Sequence, residues 1–559
     1  MLKNTFIFIV TISFLFSCSS EPEKIVVDEV LHNAVIYSVD SSFAIYEAMA
    51  IANGKIIELN SNKEILKKYA PKTIRDLNGK AVFPGFIDAH CHFLAYGMGL
   101  QQVNLVGTKT FNEVVERVIS FSKNEPADEA KVPRLSVETK WLIGRGWDQN
   151  DWENKQYPDK KKLDSLFPNT PVMLTRIDGH AALVNEKALQ QAGINSNTKI
   201  SGGEILRSGN KLTGILIDNA VDLVKNFIPK THKEKTENAL LTAQANCFAM
   251  GLTTVDDAGM MKEDVDIIDE LQKTGKLKMR VYAMLSDSAP NYEHYLKTGP
   301  YKTERLNVRA FKFYADGALG SRGACLFKDY SDKPGWKGFL LSSMKHFEKQ
   351  AAIIDKKGFQ MCTHCIGDSA LNMVMDIYER YCNENLDHRW RIEHAQVLTN
   401  EDFKNFSLDI IPSVQPTHAT SDMYWAEERL GKDRIKKAYA YKELLTASGI
   451  IALGTDFPVE DISPFKTFFV AVARQDAKGF PKGGFQMENA LSRQETLKGM
   501  TIWAAYSNFE EKEKGSLEKG KLADFVILDT DIMKCTIEDV LNSKVLFTYL
   551  NGEKVYSTK

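Results

Sequence analysis

The stretch Phe83-Pro-Gly-Phe-Ile-Asp-Ala-His-Cys-His92 is an apolar run that ends in His-x-His. Side chains alternate faces along a β-strand, so His90 and His92 point one way and Cys91 the other. Two imidazoles on one side of a strand end can grip a cation, although an isolated His-x-His is common by chance. The rest of the chain decides the reading. Four further apolar, strand-like runs carry a ligand-type residue: Lys312 in 308–317, His364 in 359–364, His394 in 390–394 and Asp456 in 450–456.

Strand-like runs occur at 82–88, 253–257, 279–285, 308–316, 359–364, 390–397, 409–415 and 450–456. Most are separated by helix-length segments, so the pattern predicts an α/β fold, a (β/α)8 TIM-like barrel over 83–509. The metal-type residues fall on runs one, four, five, six and eight, each toward the C-terminal end, which is the catalytic face of such barrels. The gap between the first two runs, about 160 residues, far exceeds a crossover helix and predicts an inserted subdomain at about 100–235, a wall or lid over the site. It contains Trp141-Leu-Ile-Gly-Arg-Gly-Trp147-Asp and Pro171-Val-Met-Leu-Thr-Arg176-Ile-Asp178-Gly-His180. Both chain ends read as short alternating strands with Asn53-Gly54 and Asn551-Gly552 as hairpin turns. Neither end buries a core alone, so 25–82 and 510–559 are expected to join into one small β-sandwich.

The chain has 559 residues, 43% apolar and 26% charged, with a formal net charge of -2. That balance gives no pull toward nucleic acid, and no basic stripe is present. Eight cysteines in so long a chain do not make a disulfide scaffold. At the start, a positive Lys3 precedes the apolar run 5–16, too short to span a bilayer well but suited to a signal peptide over 1–17. A buried helix or a short membrane anchor is the alternative. Leu15-Phe-Ser-Cys18 resembles a bacterial lipobox, and 18–24 reads as a polar tether, so Cys18 is the expected lipidation site and the lipid anchor the membrane attachment. Ser19 after the cysteine, by resemblance to Gram-negative lipoprotein sorting, implies the cell envelope and an outer-membrane anchor facing the periplasm.

Histidines with a carboxylate suit a borderline divalent ion, one or two Zn²⁺. An ammonium cannot ligate a cation, but a lysine of depressed pKa near metals can add CO2 to become a carbamate that bridges two ions. The alternatives for Lys312 are a structural lysine paired with Asp316 or Glu393, and a Schiff-base nucleophile. Asp456 is expected to bind metal, take the proton of an ionisable metal-bound water and deliver it to a leaving nitrogen. His180 reads either as a catalytic group reaching the substrate carbonyl or as a structural histidine. Asp368 reads as orienting a ligand or capping a helix, Glu393 as a buried ion-pair partner facing away from His394, and His418 as pocket lining or bystander. Cys362 and Cys365 straddle a ligand histidine and read as packed thiols ahead of a redox pair, and Trp141, Trp147 and Trp152 as packing residues. His32, His232, His294, His346 and His388 read as surface or structural.

The order His-x-His, Lys, His, His, Asp on a barrel flanked by a two-piece β-unit resembles the amidohydrolase superfamily. Finer motifs are similar to amidohydrolase family 3, the N-substituted formamide deformylase-like enzymes: Pro84-Gly-Phe-Ile-Asp-Ala-His90, Asp178-Gly-His180-Ala-Ala, Gly202-Gly-Glu204, Lys312-Phe-Tyr-Ala-Asp316, His364-Cys-Ile-Gly-Asp368, Arg391-Ile-Glu393-His394 and Gly454-Thr-Asp456-Phe-Pro458. The resemblance implies hydrolysis of a non-peptide C–N bond in a small amide-like substrate, with His90, His92, Lys312, His364, His394 and Asp456 as metal ligands. Rival readings are an ester, lactone or phosphoester hydrolase of the same fold, a metal-independent Schiff-base lyase using Lys312, and a noncatalytic surface binding lipoprotein.

Overall fold

A computed structural model describes residues 23–124, 141–229, 232–382 and 387–558. The signal peptide, the lipobox and Cys18 lie outside the described residues.

Eight parallel strands form the barrel: β1 (Phe86–Cys91), β2 (Leu252–Met260), β3 (Arg280–Ser286), β4 (Leu306–Tyr314), β5 (Gln360–Cys365), β6 (Trp390–His394), β7 (Ile410–Val414) and β8 (Ala452–Leu453). Each pairs with the next in chain order. The last strand returns to the first through the Asp456 amide, which donates to the His90 carbonyl at 2.7 Å. That bond sets Asp456 beside the His-x-His segment, although they are hundreds of residues apart in sequence.

The run read as one strand over 82–88 is two. Ala81–Pro84 pairs antiparallel with Phe525–Leu528 in a six-stranded sheet built from both chain ends, whereas Phe86–Cys91 opens the barrel. Gly85 stands at the switch, where a Cβ would come 2.4 Å from the Thr253 side chain. A larger residue would push the two units apart. That sheet packs on a four-stranded sheet over Leu31, Met49, Ile56, Phe525 and Tyr549, all buried. Both sharp hairpins have left-handed turn residues, Asn53 (φ 52°) with Gly54 (φ 73°) and Asn551 (φ 50°) with Gly552 (φ 68°), as a type I′ turn requires.

Between β1 and β2 a six-stranded sheet runs in the order 203–208, 211–218, 181–184, 172–176, 142–147, 103–104. Separate apolar clusters cover it, one holding Trp147 and Trp152, the other Met173, Val184 and Leu216. Cys362 packs with Tyr282 and Met284 while Cys365 joins the main core, and both are free buried thiols. Among the described residues no helix is long and apolar enough to cross a membrane.

Candidate metal centre

Inside the barrel, Arg391 of β6 is fully buried and its guanidinium is fully engaged. It donates to Glu393 at 2.7 Å, Asp256 at 2.9 Å and Ser413 at 2.9 Å, and also bonds the Ala89 carbonyl. Asn508 completes Asp256 at 2.6 Å. Buried charge is tolerable when paired and hydrogen-bonded in this way. Glu393 also takes the Nδ1 proton of His90 at 2.5 Å. Burial alone would raise the Glu393 carboxyl, but the charges of Arg391 and His90 outweigh it and hold the group low. Strict alternation had set Glu393 on the face opposite His394. The backbone instead turns left-handed at His394 (φ 69°) and Ala395 (φ 40°), so both side chains reach the interior.

Above this network lie the six ligand-type residues. His92 Nε2 is 3.2 Å and His90 Nε2 3.8 Å from Asp456 Oδ1. Lys312 Nζ stands 3.2 Å from His90 Nε2 and over the Tyr314 ring. The His394 ring lies 4.9 Å from that of His90 and 4.6 Å from that of His364. Lys312 meets neither carboxylate that the sequence offered it. Asp316 accepts the amides of Cys325, Ile366 and Gly367, and Glu393 is taken by Arg391 and His90. A cavity of about 180 Å³ opens over His92, Lys312, His364, His394 and Asp456, with His180 and His418 on its wall.

Second partners fix several rings. The Nδ1 protons of His90 and His394 go to Glu393 and to Gln415 at 2.7 Å, which turns each Nε2 lone pair into the site, that of His90 toward Lys312 Nζ. His180 Nδ1 is held by Asp218 at 2.6 Å; burial lowers the His180 pKa, but that carboxylate raises it above the ordinary value. Burial, with the Lys312 charge adding, pushes His90 down to about 4. Burial likewise holds His364 and His394 well below the ordinary imidazole value and lowers Lys312. Burial opposes ionisation of Asp456, yet the hydrogen bond from His418 and the His92 and His90 rings beside Oδ1 prevail and keep it ionised. Neutral imidazoles beside a carboxylate are the donor set of a borderline divalent ion.

The fit is tested by one atom. Asp456 Oδ1 is buried, faces two histidine nitrogens and has no hydrogen-bond partner. Such an orphan is costly unless a cation completes it. Two triplets share Asp456, one with His90 and His92, the other with His394 and His418, each with ligand atoms within 4.8 Å of one another. Lys312 and His364 border these triplets without joining either; His364 Nε2 faces the Gly317 carbonyl at 3.5 Å.

His418 was read as pocket lining or bystander, and the structure sets it against the carboxylate. It lies on the helix Pro416–Asp422 after β7, with Nε2 3.2 Å from Asp456 Oδ2 and Nδ1 3.3 Å from Glu460. Burial lowers its pKa, but those two carboxylates raise it well above the ordinary value. His180 enters from the inserted sheet, its ring 5.1 Å from that of His364. Arg145, within a motif whose role had no reading, binds the Pro458 carbonyl at 2.6 Å and the Ile177 carbonyl at 2.7 Å, tying the insertion to the loop after β8. Asp368 accepts the amides of Phe327 and Ser369, each at 2.9 Å, and so anchors a loop and a helix start.

Comparison with known proteins agrees with this geometry. Residues 73–556 match the model of the Amidohydrolase family. Protein LONG AFTER FAR-RED 3 of Arabidopsis thaliana is 33% identical over 96% of this chain and 92% of its own length. The N-substituted formamide deformylase of Arthrobacter pascens is 25% identical over 94% of this chain and 97% of its own. A crystal structure of an uncharacterized metal-dependent hydrolase from Pyrococcus horikoshii superposes with a TM-score of 0.72 at 27% identity, covering 91% of this chain and 99% of that one.

Proposed function

The chain belongs to the amidohydrolase family and is a metal-dependent hydrolase; from that premise we propose that it cleaves a non-peptide C–N bond in a small amide, formamide or cyclic amide. The observation that carries this reading is Asp456, with one oxygen orphaned among His90 and His92 and the other held by His418. An amine is a poor leaving group until protonated, so C–N cleavage needs a proton carrier beside the reacting carbon. Asp456 takes the proton of the attacking water and passes it to the leaving nitrogen, and His418 steadies the carboxylate between these states. His180, held by Asp218 through Nδ1 and, against the effect of burial, raised in pKa by that carboxylate, presents its Nε2–H to the substrate carbonyl. His90, His92, His394 and Asp456 would hold a divalent ion, zinc by donor type, with His364 at the border of the cluster, and such an ion would supply Lewis acidity and acidify water at neutral pH.

Lys312, deprived of a carboxylate partner and lowered by burial, is the candidate for carbamylation: its neutral amine adds CO2 and releases a proton. A ¹³C signal from labelled bicarbonate, lost in Lys312→Ala, checks this step. The name of the formamide deformylase relative supports the C–N reading. An ester, lactone or phosphoester substrate is the second reading, because the same nucleophile serves those bonds. The test is a panel of N-formyl, N-acyl and cyclic amides beside matched esters, assayed after chelation and after metal return. Restored turnover of amides over esters is expected, and restored turnover of esters alone would overturn the C–N assignment. We extend the proposal to location: a lipid anchor on Cys18 in the outer membrane, facing the periplasm, supported by the lipobox-like sequence. Labelling with a clickable fatty acid is expected in the wild type and not in Cys18→Ala.

A further inference from the structure

A second cluster stands at the other end of the barrel. Cys382 follows the helix Asp368–Tyr378, His388 comes just before β6, Asp409 just before β7, and Asp355 lies in the last turn of the helix Met344–Lys357 that leads to β5. Residues that precede barrel strands lie at the N-terminal face, away from the cavity formed at the strands' C-terminal ends. His388, read from sequence as surface or structural, is 8% exposed and engaged at both nitrogens.

The donor atoms of Cys382, His388 and Asp409 lie within 4.8 Å of one another. His388 Nδ1 is 3.2 Å from Asp409 Oδ2. That spacing matches the edge of a tetrahedron whose metal–ligand bonds are ~2.0–2.2 Å. On the far side of the ring, His388 Nε2 is 2.9 Å from Asp355 Oδ1. A carboxylate on the outer nitrogen fixes the tautomer with its lone pair on Nδ1, as in the carboxylate–histidine–metal arrangement. The other Asp409 oxygen accepts the amides of His388 at 2.7 Å and Arg389 at 2.9 Å, so Oδ2 stays turned toward the cluster. An imidazolium clamped between two aspartates accounts for His388, and the Trp390 amide reaches the Cys382 sulfur; what remains is that sulfur, nitrogen and oxygen donors converge on one point.

We propose that Cys382, His388 and Asp409 form a second divalent-metal site, of zinc type, that is structural and independent of catalysis. One nitrogen, one oxygen and one sulfur donor suit Zn²⁺ or Co²⁺ better than a hard cation. Cys382 and Asp409 are only partly buried, so the fourth position is open to water. Asp355 acts as the positioning residue. The ion would join the ends of two helices to the starts of β6 and β7 at the face where barrels are held for stability.

Cobalt reports a thiolate ligand directly, because sulfur-to-cobalt charge transfer absorbs in the near ultraviolet and the catalytic cluster contributes no sulfur. The full-length chain is titrated with Co²⁺ beside Cys382→Ser. The band is expected in the wild type and absent in the variant, which keeps its metal-dependent hydrolysis. A wild type without the band, or a variant that retains it, overturns the proposal. A measurement on the unaltered chain guards against a variant that fails to fold. Alkylation of Cys382 by iodoacetamide, read by mass spectrometry, should slow roughly tenfold or more when zinc holds the thiolate. An unchanged rate overturns the site.

Discussion

Arg391 and Asp456 are both buried charges inside the same barrel, yet Arg391 is satisfied from every direction while Asp456 keeps one oxygen without a partner. The level around Arg391, with Asp256, Glu393, Ser413 and Asn508, is closed. The level around Asp456 has histidine nitrogens turned toward it and a cavity above it. The difference separates what holds the fold from what is left for a ligand. A fully paired buried charge is costly to break, whereas an unpaired carboxylate oxygen facing histidine nitrogens has the chemistry to bind a cation. Glu393 links the levels, because the carboxylate that neutralises Arg391 also orients His90.

Changes at the two levels should therefore fail differently. Asp456→Ala removes the orphan carboxylate, so hydrolysis should fall roughly 10³-fold or more, about 4 kcal/mol of transition-state stabilisation, with unfolding free energy unchanged or raised. Steady-state rates and urea unfolding on one preparation would show it. A large stability loss would place Asp456 in the structural level instead. Arg391→Met should act the other way, costing about 3–5 kcal/mol of stability because Glu393 and Asp256 are left buried and unpaired. A chemical-denaturation midpoint equal to wild type would contradict the assignment. Gln415→Ala frees the His394 ring without touching a ligand, and metal affinity should weaken about 10–100-fold with little loss of fold. Isothermal titration of the chelated protein measures this.

The smallest effect is a slope. His90 is held at about 4 against an ordinary 6.5, and His364 and His394 are lowered in the same direction. Between those limits the unfolded chain binds protons that the folded chain refuses. Stability of the metal-free protein is thus fully present above pH 6.5 and lost as pH falls toward 4. His364→Asn should flatten the acid limb by up to about 1.4 kcal/mol per pH unit. Unfolding curves at stepped pH would reveal either the flatter limb or, against expectation, an unchanged one.

Much of the upper level was legible in the sequence, because a strand period of two and the convergence of barrel strand ends predict where His90, His92, Lys312, His364, His394 and Asp456 should gather. The lower level was not. Glu393 is the buried ion-pair partner the sequence predicts, paired with Arg391, but its facing is not the predicted one, because alternation fails where the backbone turns left-handed at His394. The run at 82–88 gave no hint of its division at Gly85, which depends on the nearby Thr253. His418 and His388 owe their partners to packing between distant segments, Asp456 and Glu460 for one, Asp355 and Asp409 for the other. No local pattern encodes such pairings.

The most direct test of an incomplete upper level is metal content set beside activity, in the wild type and in Asp456→Ala. The expected result is at least one equivalent of divalent metal fewer in the variant, with the chelated wild type inactive and recovering when metal returns. Equal metal content in both chains, with full hydrolysis by chelated wild type, would contradict it.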